Sequence, residues 1–188
     1  MEKIKAATDD ALAELGGRLK IKLPHISFLP KWSSVTAALA NGKPRVVHFV
    51  SHASDGRTSP LARESPKLHI DDNGVDGDMF LHILSGTECV LVMACHSQNL
   101  LANMPPNERS KIKHLVLCEG LLSVDEAKHF TAGFYSALLH HKMSIAQSIH
   151  QGDRNIKGMI EQGTRTVTLY YYLNGVEKPI NEIDMNEE

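Results

Sequence analysis

The sequence predicts an α/β fold, a mostly parallel central sheet with helices on both faces. Three observations carry that prediction. Residues 45–51 and 88–94 are apolar, β-branched runs with the length and continuity of strands buried on both sides. Residues 114–118 (His-Leu-Val-Leu-Cys) repeat the pattern. Between and after these runs the apolar period changes to that of helices, and strands that alternate with helices pack as a sheet covered on its two faces.

Taken in order, residues 2–19 place Ile4, Ala7, Leu12 and Leu15 on one side of an amphipathic helix, weakened at its end by Gly16-Gly17. The helix either caps the sheet or contacts a partner. Residues 21–29 lean to β but contain Pro24, which leaves an edge strand or an extended linker. Ser33 or Ser34 can cap a short helix through Leu39, closed by Asn41-Gly42. After the strand at 45–51, residues 53–60 are rich in turn formers and read as a surface loop. A short strand is expected over 67–70, then a turn at Asp71-Asp72-Asn73-Gly74 and a helix over 75–84. Beyond the strand at 88–94, residues 97–113 form a polar helix or loop broken by Pro105-Pro106, with 99–111 an exposed connection. Ala127, Phe130, Phe134, Ala137 and Leu138 have helical spacing over 125–140, and a second helix fits 144–160. Residues 166–173 read as a strand, Asn174-Gly175 as a hairpin turn and 176–180 as the return strand. An acidic tail, 182–188, is expected to fray.

The chain has 188 residues, which suits one domain, 1–188, with the helix and linker of 1–40 as an addition of unassigned role. Hydrophobic residues are 42%, charged residues 22% and net charge −2, without a basic block, so no nucleic-acid surface is expected. The apolar runs are too short to span a bilayer, and residues 1–5 lack a signal-peptide core, so no membrane association is expected. Three cysteines without C-x-x-C spacing predict free thiols in a reducing, cytoplasmic compartment. The eleven histidines form no metal-binding ladder, no phosphate-binding glycine loop is present, and no cofactor is expected.

Chemistry concentrates where two strands stop. The run at 45–51 ends on His52, and the run at 88–94 ends on Cys95. Neighbouring parallel strands would deliver both side chains to one carboxyl edge, where α/β sheets place their sites, and a thiol beside an imidazole is a nucleophile–base pair. Cys89 and Cys118 sit among apolar neighbours and read as packed, inert thiols. Cys95 differs: Ala94 and Ser97 are small, and His96, Ser97, Gln98 and Asn99 make its far side polar. That pattern predicts a sharp turn near a helix start, a setting that favours thiolate and freed backbone N–H groups. His48, four residues before His52, reads as structural. His96 is an alternative base, set aside because side chains adjacent on an extended backbone point apart.

The blocks Val47-His48-Phe49-Val50-Ser51-His52 and Val92-Met93-Ala94-Cys95-His96-Ser97 resemble the two signatures of the CHAT peptidases, a branch of the caspase-like cysteine proteases. Leu122-Ser123-Val124-Asp125 with Ala127, Phe130 and the run 133–139 is similar to the family's Val-x-Asp segment and Phe-Tyr helix. Met143-Ser144-Ile145-Ala146 resembles its next helix start, so the likeness spans roughly 45–150. The resemblance implies a caspase-like three-layer sandwich and a cysteine endopeptidase acting on a protein or peptide substrate. His52 would be general base and Cys95 nucleophile, with the backbone N–H groups of Ala53 and Cys95 as the oxyanion hole. Met93, two residues before the nucleophile, would floor the pocket for the side chain before the scissile bond, and Leu122 would be its second wall. Both are apolar, which favours cleavage after an uncharged residue. Asp125 would orient a helix N-terminus. The family's relatives are commonly controlled by other domains or partners, so an activating or regulatory protein partner is implied as well.

The sequence departs from the family at Ala53, which stands where glycine is usual. If that position needs positive φ, alanine costs about 1 kcal/mol or more. The competing expectation is therefore a catalytically weak caspase-like module that acts by docking a partner, with a nucleotide- or phosphate-binding α/β domain third.

Overall fold

A computed structural model describes residues 31–42, 44–54, 66–70, 74–159 and 166–183. The helix of 2–19, the segment 21–29, most of the 53–60 loop, the Asp71–Asn73 part of the expected turn and most of the acidic tail lie outside the described residues.

The element order is α1 (Trp32–Ala40), β1 (Val46–Ser54), β2 (Lys67–His69), β3 (Val75–Asp76), α2 (Gly77–Ile83), β4 (Cys89–Ala94), a 3₁₀ turn (Ser97–Leu101), α3 (Pro106–Arg109), β5 (His114–Gly120), α4 (Val124–Tyr135), a π turn (Ser136–His140), α5 (Ile145–Met159), β6 (Val167–Leu173), β7 (Val176–Lys178) and a last 3₁₀ turn (Ile180–Glu182). The strands form one sheet in the order β3-β2-β1-β4-β5-β6-β7. Its centre, β1-β4-β5, is parallel, and antiparallel strands extend it at both edges. The α/β class read from the sequence therefore holds, with the parallel pairing at the centre.

Period-2 alternation divides the core between the two faces of the sheet. Val90, Val92 and Ala94 of β4 join Leu115 and Leu117 of β5 under α1 and α2, where Phe49 and Phe80 meet edge to face at 4.7 Å. Cys89, Leu91 and Met93 join Val116 and Cys118 under α4 and α5, with Phe130, Phe134, Ile149 and Ile156. All six residues of β4 are buried, which is why its sequence is an uninterrupted apolar run rather than an alternating one.

Several boundaries differ from expectation for physical reasons. Helix α1 begins at Trp32 with Lys31 as its N-cap, and no side chain caps it. The helix expected over 75–84 is shortened at its start because Val75 and Asp76 pair with Leu68 and Lys67 as β3. The connection 99–111 is anchored, not loose: Leu100, Leu101 and Met104 are buried, and the Arg109 guanidinium donates to the carbonyls of Leu101 and Met104. At the β6–β7 hairpin, Asn174 (φ 50°) and Gly175 (φ 79°) supply the paired positive φ angles of a type I′ turn, as their sequence predicts.

Candidate active site

The site begins with strand register. Strands β1 and β4 run parallel from Val46↔Cys89 to Ser51↔Ala94, so the next residue on each is His52 and Cys95, level with one another at the carboxyl edge. On its other side β1 pairs with β2, His52 opposite His69 and Ala53 opposite Leu68, and the Ser51 hydroxyl donates to the His69 carbonyl. The His52 side chain lies outside the described residues.

Ala53 carries no strain. The described non-glycine residues with positive φ are His96, Lys142 and Asn174, so the condition under which alanine would be costly does not arise. Its methyl group packs against the core under α1 and α2. Backbone alternation also fixes where its N–H points. The Cys89 N–H donates to the Arg45 carbonyl at 3.0 Å, so odd-numbered backbone groups of β1 and β4 face each other. Continued to the strand ends, the alternation points the Cys95 N–H at β1, toward the Ser51 carbonyl, and the Ala53 N–H the opposite way, at β4.

Past Ala94 the chain turns sharply. His96 adopts the left-handed region, φ 52°, and its N–H donates to the Gly120 carbonyl at 3.2 Å. Because the backbone there is not extended, the alternation that set His96 aside does not apply to it; among the described residues no hydrogen bond joins its ring to the Cys95 thiol. Ser97, fully buried, closes the turn. Its hydroxyl accepts from the Cys118 N–H at 2.8 Å and donates to the Val92 carbonyl at 2.9 Å, inserting where the β4–β5 ladder would have continued. Side-chain hydroxyls compete with ladder bonds in this way and let a strand leave its sheet.

The turn leaves Cys95 half-buried, and its sulfur meets the loop after β5. The Leu122 N–H donates to Sγ at 3.3 Å, and the Leu122 carbonyl lies 3.9 Å from the same sulfur. A main-chain donor aimed at sulfur stabilises negative charge that develops there. Cys89 and Cys118 are fully buried; burial pushes the Cys89 thiol up and the Cys118 thiol up to about 12. Their sequence reading as packed thiols agrees with this placement.

Leu122 thus touches Cys95 through its backbone, while its half-buried side chain packs against the core under α4 and α5. Met93 has no exposed surface. Its thioether lies 3.9 Å from the Cys118 sulfur inside that core, so it borders packed side chains rather than an open pocket. Leu121, 66% exposed, precedes Leu122 in the loop that reaches the thiol.

The sequence reading missed Glu126. It gave the helix N-terminus to Asp125, which is exposed in the first turn of α4, but the cap is a Ser123–Glu126 capping box. Burial alone would raise the Glu126 carboxyl, yet hydrogen bonds from Ser123 and Thr166 hold it below the ordinary range. The Ser-x-x-Glu spacing at 123–126 is the signal that could have found it. His48 is structural as expected. Its ring stacks on Tyr135 at 5.8 Å, its Nε2 is buried without a hydrogen-bond partner, and burial lowers it to about 4.

Among the described residues no cluster of three or more His, Cys, Asp or Glu is arranged to hold a metal, and no helix is long and apolar enough to cross a membrane. No protein-family model matches the chain, and no curated protein is significantly similar to it.

Proposed function

We propose that this chain is a caspase-like cysteine endopeptidase of the CHAT type, with Cys95 as nucleophile and His52 as general base. The observation that carries the reading is the β1–β4 register, which brings His52 and Cys95 level at the carboxyl ends of adjacent parallel strands. The main-chain donor at the Cys95 sulfur supports it.

In the proposed reaction His52 removes the thiol proton as Cys95 Sγ attacks the carbonyl carbon of the scissile peptide. The Ala53 and Cys95 N–H groups receive the negative charge on the carbonyl oxygen. His52 then passes the proton to the leaving amine, the C–N bond breaks, and an acyl-enzyme thioester remains. Water activated by His52 hydrolyses it, which releases the carboxylate and regenerates the thiol. Leu121 offers an apolar contact and no partner for a charge, so cleavage after an uncharged, medium-sized side chain is favoured. A regulatory protein partner raises the activity of the isolated chain. The docking module is the competing reading; the helix expected over 2–19 speaks for it, and Ala53, which has no positive φ, does not.

The test is hydrolysis of a peptide library read by mass spectrometry. Cys95→Ala and His52→Ala should each lower turnover on the order of 10⁴-fold, and the double variant should be little worse, because residues acting as a unit give non-additive losses. Wild-type turnover in Cys95→Ala would overturn the mechanism.

A further inference from the structure

We infer that Glu126 is a positioning residue for the Cys95 thiol, acting through the main chain of residues 120–123. The inference rests on Cys95 being the reacting thiol and asks what holds its surroundings in place.

The Glu126 carboxylate, 7% exposed, accepts hydrogen bonds in two directions. Toward its own helix it takes the Ser123 N–H at 2.9 Å and the Ser123 hydroxyl at 2.8 Å. Toward the sheet it takes the Thr166 N–H at 3.0 Å, the Thr166 hydroxyl at 2.8 Å and the Val167 N–H at 3.2 Å. A capping box needs only the first direction. The second reaches across to the start of β6, and helix capping does not account for it.

What lies between those anchor points is the segment that touches Cys95. Gly120, at the end of β5, has φ +88°, and a Cβ there would stand 2.5 Å from the Thr166 carbonyl oxygen, so its backbone is seated directly on the residue Glu126 grips. The Gly120 carbonyl in turn holds the His96 N–H, the peptide that follows Cys95. Two residues on, the Leu122 N–H donates to the Cys95 sulfur, and the next residue, Ser123, is bound to Glu126 directly. One carboxylate therefore fixes the short bridge 120–123 at both ends, at Ser123 by direct bonds and at Gly120 through Thr166. Charge-assisted hydrogen bonds are the stronger kind, and a fully satisfied buried network is stiff. Loosening it frees the Leu122 N–H to swing away from sulfur.

The experiment uses the full chain and iodoacetamide, with alkylation of each cysteine followed by mass spectrometry from pH 6 to 10. Glu126→Gln should slow Cys95 alkylation at pH 7 about tenfold and move its pH profile to the alkaline side, the size expected for one hydrogen bond to a charged group. The sign is diagnostic, because deleting a nearby negative charge with no positioning effect would speed alkylation and move the profile the other way. Thr166→Val removes one bond of the clamp without changing any charge and should act in the same direction by a smaller factor. Continued protection of Cys89 and Cys118 shows that each variant is folded. Unchanged or faster Cys95 alkylation in folded Glu126→Gln overturns the inference, and if that variant does not fold, unchanged alkylation in Thr166→Val does so. Dependence on Glu126 with no peptide hydrolysis would overturn the peptidase reading alone.

Discussion

The Leu122 N–H donates to the Cys95 sulfur across 3.3 Å, and it comes from a loop 27 residues further along the chain. The other two thiols have no such setting. Selectivity follows: in the native protein near pH 8, Cys95 should be alkylated while Cys89 and Cys118 stay unmodified, since burial pushes both of those thiols up, Cys118 to about 12. In concentrated denaturant all three should react alike. Peptide-resolved mass spectrometry checks this, and equal native labelling would refute it.

Met93 and Leu121 separate stability from specificity. Met93→Asp places an unpaired charge in a closed core and should cost several kcal/mol of stability, read as a large fall in Tm. Leu121→Asp, at an exposed position, should leave Tm within about 2 °C, consistent with ordinary surface substitutions. It should nevertheless lower kcat/KM for peptides cleaved after an apolar residue by about tenfold, the worth of a modest apolar contact. A folded Met93→Asp that prefers basic substrates would restore Met93 to the pocket.

Ser97→Ala should destabilise the chain by about 1–3 kcal/mol, because it leaves the buried Cys118 N–H and Val92 carbonyl without the hydroxyl that joins them. Denaturant unfolding measures the loss. No change in midpoint would mean the two strands close the gap directly.

How much of this the sequence could disclose depends on range. Strands β4 and β5 were legible because burial on both faces leaves an uninterrupted apolar run, and the β6–β7 turn because Asn-Gly has one dominant use. Strand β3 was not, since its two residues read as the start of the helix that follows and are claimed by pairing with β2. At the site, the two strand ends were visible, but their level alignment is a matter of register, which no local pattern encodes. Glu126 shows both limits at once. Its bond to Ser123 has a sequence signature, whereas its bonds to Thr166 and Val167 join residues 40 and 41 apart. Met93 was assigned by analogy of position, and packing against Cys118 decided its surroundings.

Acid should weaken the fold through His48. Its folded value of about 4 lies below the ordinary 6.5, so the unfolded chain takes up a proton that the native state refuses. The stability tied to neutral His48 is therefore fully present above about pH 6.5 and declines as pH falls toward 4. Glu126 acts in the same direction at lower pH, as its depressed carboxyl becomes protonated. His48→Leu removes the unpartnered Nε2 and should lessen the slope between pH 4 and 6.5, leaving the part due to His114, which burial also lowers to about 4. Urea unfolding across that range tests it, and an unchanged slope in the variant would assign the acid sensitivity elsewhere.

The central claim, that Cys95 and His52 act as one catalytic pair, is tested most directly by labelling the native protein with an electrophilic peptide probe carrying an apolar residue before its warhead. The account predicts covalent attachment at Cys95 alone, lost in His52→Ala and retained in His96→Ala. Labelling of Cys95 that is indifferent to His52, or spread equally over all three thiols, would contradict it.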